Sequence, residues 1–186
     1  HLPVQSGSDK ILNLMNRNHS IEEYLFKIKR LKEKNPFIKF SSDFIIAYPG
    51  ETKDDFEASI SLMRKVGFIN SYSFIFSPRP GTPASKLKMI DLETAKKRLF
   101  TFQKVANEIK KEYRNELVSS TAKVLFENKT KDKQGYFGRD EYFNSVIVRS
   151  NNNLIGKIKT VKIDNCNQNT LFDEVILEDK RSEFAA

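Results

Sequence analysis

The hydrophobic period of this chain changes once, near its middle, and that change limits it to two architectures joined end to end. In the first half, short apolar runs alternate with helical stretches. Leu2-Pro3-Val4-Gln5 reads as the end of a strand, and Ser6-Gly7-Ser8-Asp9 opens a short helix, with Ser6 and Asp9 as a capping pair. Ser20 and Glu23 form a second capping box, followed by Ile21, Tyr24, Leu25, Ile28 and Leu31 on one helical face. Asn35-Pro36 stops that helix. The run Phe44-Ile45-Ile46-Ala47-Tyr48 is apolar throughout, which predicts a strand buried on both faces. Pro49-Gly50 turns the chain into a helix carrying Phe56, Ile60, Met63 and Val66 and closed by Gly67. A strand over Ser71 to Ser77, a Pro78–Pro83 loop and a basic helix from about Asp91 to Tyr113 complete a β-α-β-α-β-α series. Such a series predicts a parallel sheet or part of a barrel. A closed barrel of this type needs about eight strands. With a start at His1-Leu2-Pro3-Val4, in mid-strand and without Met, the expectation is a part of a longer protein.

The second half has strand-length runs and no helical ones. Ala122–Phe126, Tyr142–Val148, Leu154–Ile163 and Leu171–Leu177 are separated by polar turns at 128–133 and 151–153. That grammar predicts a small all-β barrel or sandwich. The expected domains are therefore 1–114 and 117–180, with a frayed tail at 181–186.

Charge and cysteine content narrow the chemistry. The net charge is +8, and residues 84–114 hold nine basic side chains against four acidic ones, so a polyanionic partner is expected. The one cysteine, Cys166, can form neither an internal disulfide nor a metal or iron–sulfur site alone. No apolar run approaches the roughly 20 residues that span a bilayer, and no signal peptide is visible, so a cytoplasmic protein with no membrane partner is expected.

In parallel α/β folds, ligands bind beyond the C-terminal ends of the strands. Three such ends are legible: Gln5, Ser6 and Ser8; Tyr48, Pro49, Gly50 and Glu51; Ser77, Pro78, Arg79 and Thr82. Each has a plain structural alternative as a cap, a turn or a stiff connector. Two histidines, His1 and His19, leave no Ser-His-Asp arrangement to argue. No catalytic side chain and no metal ligand is assigned.

The same segments carry a resemblance. His1-Leu2-Pro3-Val4-Gln5-Ser6-Gly7-Ser8-Asp9 with Leu14-Met15-Asn16-Arg17, Asp43 through Thr52, and Phe74 through Ala84 closely resemble three strand regions of radical SAM methylthiotransferases. The first motif is most like the MiaB type, the branch acting on N6-dimethylallyladenosine in tRNA. Gly138-Arg139, Asn144 and Leu154-Ile155-Gly156-Lys157 resemble signposts of the TRAM domain, a small RNA-binding barrel. Ala47 stands where the family usually has Gly, and Tyr48 where it usually has Phe.

The resemblance implies the C-terminal portion of a radical SAM partial (β/α) barrel followed by an OB-like TRAM barrel. It implies cleavage of S-adenosylmethionine by a 4Fe-4S cluster, activation of C2 of the adenosine at tRNA position 37, sulfur insertion supported by a second cluster, and methyl transfer. The cysteines for both clusters would lie in a missing N-terminal part, so this chain alone is expected to be inactive. Alternatives are the branch acting on threonylcarbamoyl-adenosine tRNA and a non-catalytic RNA-binding fragment. Carried over by position, Gln5 and Ser6 would face the cofactor, with Asp43 lower in the barrel. Ile45 and Ile46 would flank adenine, Glu51 would orient the loop or cofactor, and Arg79 would sit near the cofactor or a substrate phosphate. Lys123, Lys131, Lys133, Arg139, Lys157 and Lys159 would contact phosphates of the tRNA anticodon stem-loop, and Tyr136 and Phe137 could stack on bases.

Overall fold

A computed structural model describes residues 1–167, 170–173 and 176–177. The expected tail at 181–186 and part of the strand expected over Leu171–Leu177 lie outside the described residues. The chain divides into two units, His1–Lys110 and one that begins at Lys111.

In the first unit α1 (Asp9–Leu14), α2 (Ile21–Lys34), β1 (Ser41–Ile46), α3 (Lys53–Val66) and β2 (Asn70–Ile75) follow one another, then a 3-10 turn (Pro83–Lys86) and α4 (Leu92–Leu117), which belongs to this unit as far as Lys110. β1 and β2 are parallel, with Asp43 opposite Tyr72 and Ile45 opposite Phe74. The Leu2–Gln5 segment runs beside β1 on its other edge, through a parallel bridge from Gln5 to Phe44 and hydrogen bonds from Gln5 N–H to Asp43 O and from Ile45 N–H to Gln5 O, both 2.9 Å. The predicted β-α alternation is present, with the first strand reduced to this bridged segment.

The helix boundaries follow from local chemistry. Ser20 and Glu23 form the predicted capping box, and Gly67 ends α3 in the left-handed conformation at φ 69°. The cap of α1 is Ser8, not Ser6: the Ser8 hydroxyl accepts from Ile11 N–H. Ser6 instead accepts from Ser8 N–H at 3.2 Å.

β1 corrects one expectation. Its residues alternate between buried and half-exposed, so the run is not covered on both faces. Phe44 and Ile46 enter the core, where Phe44 meets Phe68 edge-on at 5.7 Å and Phe102 of α4 at 4.7 Å. Fully burying one such ring contributes about 2–3 kcal/mol, with roughly 1 more from ring geometry. Ser41, Asp43 and Ile45 look the other way, beside the exposed Tyr72 and Phe74 of β2.

The second unit holds β3 (Thr121–Lys129), β4 (Tyr136–Asp140), β5 (Ser145–Val148), β6 (Ile158–Lys162), β7 (Asn165–Cys166), β8 (Thr170–Asp173) and β9 (Ile176–Leu177). They form one sheet in the order β7-β8-β5-β4-β3-β6-β9, antiparallel except where β5 meets β8. The sheet curls about a single core that includes Val124, Phe126, Val146, Val148, Val161, Ile163 and Leu171. β4 was not legible as a strand. The expected strands from Tyr142 and from Leu154 begin later, at Ser145 and Ile158, because both leading segments are turns.

Gly138 shows why β4 can lie so close to β3. A Cβ there would meet Leu125 O at 2.4 Å and Val124 Cγ1 at 2.7 Å. Gly138→Ala is expected to destabilise the protein by about 1–3 kcal/mol through overpacking, read from the urea-unfolding midpoint. An unchanged midpoint would contradict this packing.

Candidate functional site

Two of the predicted strand-end turns are joined by one carboxylate. Asp55, in the first turn of α3, accepts hydrogen bonds from Ser8 Oγ at 2.7 Å, Lys10 Nζ at 2.7 Å, and Thr52 N–H and Oγ1 at 2.8 Å each. Lys10 Nζ also donates to Gly50 O at 3.0 Å. Burial alone would raise the Asp55 carboxyl. The hydrogen bonds from Lys10, Ser8 and Thr52 outweigh it and hold the group well below the usual carboxylate range. The Asp54-Asp55 pair thus supplies both acidic charge in the first turn of α3 and a cross-link between turns. Gly7 fits against α3 because it has no side chain: a Cβ would lie 2.5 Å from Ala58 O. Its N–H donates to Ser59 Oγ at 2.8 Å.

The second turn is braced from behind. Ala47 takes a left-handed φ of 60°, costly for a residue with a Cβ. Both carboxylate oxygens of Glu51 accept from its N–H at 3.2 Å. Arg98 of α4 donates to Glu51 Oε1 at 2.7 Å and to Glu51 O at 3.0 Å. Burial pushes the Glu51 carboxyl up, opposed by Arg98 and by the Ala47 N–H, and burial prevails. Gln5, at the end of the first segment, is also left-handed at φ 74°. The two strained residues of this layer therefore both sit at strand ends.

Beyond those ends lies an open cavity of about 530 Å³. Gln5 and Asp43 give it polar groups, and Ile45, Tyr48, Phe74 and Phe76 give it apolar and aromatic surface. Tyr48 is fixed by its hydroxyl, which donates to Leu14 O at 2.9 Å, and by an edge-on contact with Phe76 at 4.7 Å. Arg17 and Arg79, both exposed, complete the lining with Thr82 and Ala84 among others.

Gln5, Asp43, Ile45 and Arg79 are thus brought to one cavity. Ser6, Ile46 and Glu51 do not line it. Ser6 is buried between Ser8 and Ser59, Ile46 is in the hydrophobic core, and Glu51 lies beneath its own turn. Arg17, Phe74 and Phe76 are cavity residues that sequence reasoning did not select. Alternation along Ser71–Ser77 could have found Phe74; Arg17 follows a helix, and no periodicity points to it.

In the second unit Lys123, Lys131, Lys133, Arg139 and Lys157 are exposed and Lys159 is half-buried. Leu125 stands opposite Arg139 on one side and the exposed Ile158 on the other. The Arg139 guanidinium lies 5.5 Å from the Phe137 ring centre and 3.6 Å from Glu127. Tyr136 is not available for stacking, because its ring is in the core. Phe143 is the missed aromatic, 74% exposed at the β4–β5 turn with φ 62°. Asp140 builds that turn by accepting from Tyr142 N–H, Asn144 N–H and Asn144 Nδ2 at 2.8–2.9 Å. Among the described residues no group of three His, Cys, Asp or Glu could hold a metal ion, and the Cys166 thiol donates to Asn115 at 3.3 Å. No helix among them is long and apolar enough to cross a membrane.

Comparison with known proteins matches the two units to two families. Residues 1–63 match the Radical SAM superfamily, and residues 116–176 match the TRAM domain. The chain is 52% identical, over 97% of its length, to the tRNA-2-methylthio-N(6)-dimethylallyladenosine synthase of Pelagibacter ubique. It is 43% identical to the protein of the same name from Rickettsia conorii and 42% to that from Ruthia magnifica, over 95% of its length in both cases. It spans 40–41% of the length of these curated relatives.

The Asp55 cross-link has a pH signature. A carboxyl whose pKa is depressed by folding contributes stability above its unfolded value of about 3.9 and loses it as pH falls further. Asp55→Asn is expected to cost about 1–3 kcal/mol at neutral pH. It should also flatten the fall of stability below pH ~4 in acid-unfolding curves. Parallel curves for both proteins would contradict the cross-link.

Proposed function

Because the chain joins a Radical SAM segment to a TRAM domain, we propose that it works as part of an enzyme that adds a methylthio group to C2 of N6-dimethylallyladenosine at position 37 of tRNA. The observation that carries this reading is the 52% identity, across nearly the whole chain, to a protein named for that product. The domain limits that go with it are 1–114 for the barrel part and 117–180 for the TRAM part.

The cavity at the strand ends fits the adenosyl group of S-adenosylmethionine. Aromatic and aliphatic side chains offer surface for a planar base, and Gln5 and Asp43 offer a donor and acceptors for its polar edge or for ribose hydroxyls. When bound, S-adenosylmethionine would supply both the radical precursor and the methyl group. The chain's own contribution is to hold the nucleoside: Ile45 and Tyr48 limit where the base can lie, and the Asp55 and Glu51 anchors keep the turns from yielding as it enters. In this reading Ser6 and Glu51 act through the shape of their turns, and Ile46 through packing.

The 4Fe-4S clusters do not fit the described residues, which offer no set of ligands. They belong, in this reading, to sequence beyond this chain, and the chain alone is inactive. The second unit engages the anticodon stem-loop. Lys123, Lys131, Lys133, Arg139, Lys157 and Lys159 contribute charge, and Phe137 under Arg139 offers a stacking surface. The working location is the cytoplasm, where tRNA is modified.

The test is complementation. The complete gene containing this chain, placed in a bacterium lacking tRNA methylthiotransferase, should restore 2-methylthio-N6-dimethylallyladenosine in digested tRNA, read by mass spectrometry. Restoration of only the threonylcarbamoyl-derived product, or of none, would contradict the proposal.

A further inference from the structure

The cavity carries two cations that no partner among the described residues uses. Arg17 and Arg79 both line it, and both are exposed. Neither guanidinium makes a hydrogen bond or ion pair among the described residues. This is unlike Lys10 and Arg98, which are committed to Asp55 and Glu51. The local sequence has the same sign: from residue 58 to residue 90 there is no Asp or Glu, while Arg64, Lys65, Arg79, Lys86 and Lys88 are present. Among the described residues, the one carboxylate that lines the cavity is that of Asp43, which lies 3.4 Å from the His1 ring nitrogen.

We infer that Arg17 and Arg79, on the exposed lining of this cavity, bind backbone phosphate of the RNA strand presented to the cofactor held in it, with Arg17 a substrate-positioning contact that nothing else assigns. The inference rests on the function proposed above and names which ligand these cations serve. A guanidinium presents donors in a planar fork that matches phosphate oxygens, in one or two parallel hydrogen bonds. Two exposed guanidiniums beside a cofactor cavity suit a single strand laid across its opening, with a cation for a phosphate on either side of the reacting nucleotide. Their exposure favours a polyanion arriving from solvent over a small ligand enclosed among Gln5, Asp43 and Ile45. Phosphate contacts of this kind fix the register of the strand without reading its sequence. The backbone supports a defined position for Arg17. Asn16 before it is left-handed at φ 57°, and Arg17 N–H donates to Leu12 O at 2.9 Å, so the residue is tied to the end of α1.

The test uses the 186-residue chain, a fluorescently labelled single-stranded anticodon-loop RNA, and S-adenosylhomocysteine as a probe of the cofactor. Arg17→Ala and Arg79→Ala are each expected to weaken RNA binding about tenfold at low salt. Each should also lower the slope of log K against log salt by roughly 0.7, the value for one phosphate of a single strand. S-adenosylhomocysteine affinity should stay unchanged. Arg17→Lys should restore the slope but only part of the affinity, because it keeps the charge and loses the fork. Thermal melts should match wild type, since neither guanidinium has a hydrogen-bond or ion-pair partner among the described residues. Loss of S-adenosylhomocysteine affinity with RNA binding intact would overturn the inference, placing the guanidinium on the cofactor's carboxylate. So would variants that change neither ligand. A wild-type chain that binds no RNA would instead sink the proposed function, and this inference with it.

Discussion

The strand-end layer depends on one buried carboxylate. Asp55 is the point at which the turn after the first segment, the start of α1 and the start of α3 are tied together, through Ser8, Lys10 and Thr52. Each partner is replaceable alone at modest cost. Removing the acceptor strands four donors, the Lys10 ammonium of the ion pair among them, and buried donors are costly to strand. Glu51 performs a similar task one turn away, with Arg98 bringing α4 into the brace. The cavity is what these two anchors leave open.

That cavity has a cost in backbone strain and exposed apolar surface. Gln5 and Ala47 hold left-handed conformations worth roughly 1 kcal/mol or more each. Tyr72 and Phe74 remain more than half exposed on the sheet face opposite the core. A fold selected for stability alone would cover those rings and place Gly at 47. Both features are explained if this face is occupied by a ligand, so that the opposite face of β1 bears the whole hydrophobic core.

Much of this was legible in the amino-acid sequence, and the failures have identifiable causes. Capping boxes and a C-terminal glycine are local chemistry, so the limits of α2 and α3 could be read directly. The Phe44–Tyr48 run misled because Ile45 is apolar but faces the cavity; hydrophobicity reports affinity for apolar surroundings, not which neighbours provide them. The resemblance put Ile46 beside Ile45 as a site residue, although adjacent strand residues point to opposite faces and Ile46 lies in the core. Tyr136 and Phe137 repeat the lesson in β4, where only one ring faces outward. Asp55 could not be paired with Ser8, nor Arg98 with Glu51, from sequence because each contact spans 47 residues. β4 was missed because Gly138, Arg139 and Asp140 have weak strand preference, and only the close approach to β3 explains the glycine.

The reading of the first unit rests on its strand-end cavity being a nucleoside site. A titration of the ¹⁵N-labelled chain with S-adenosylhomocysteine tests it most directly. Saturable amide shifts are expected at Gln5, Ile45, Tyr48, Phe74 and Phe76, with Phe44 and Ile46 little changed. Absence of saturable shifts at those residues, or shifts confined to residues from Lys111 onward, would contradict it.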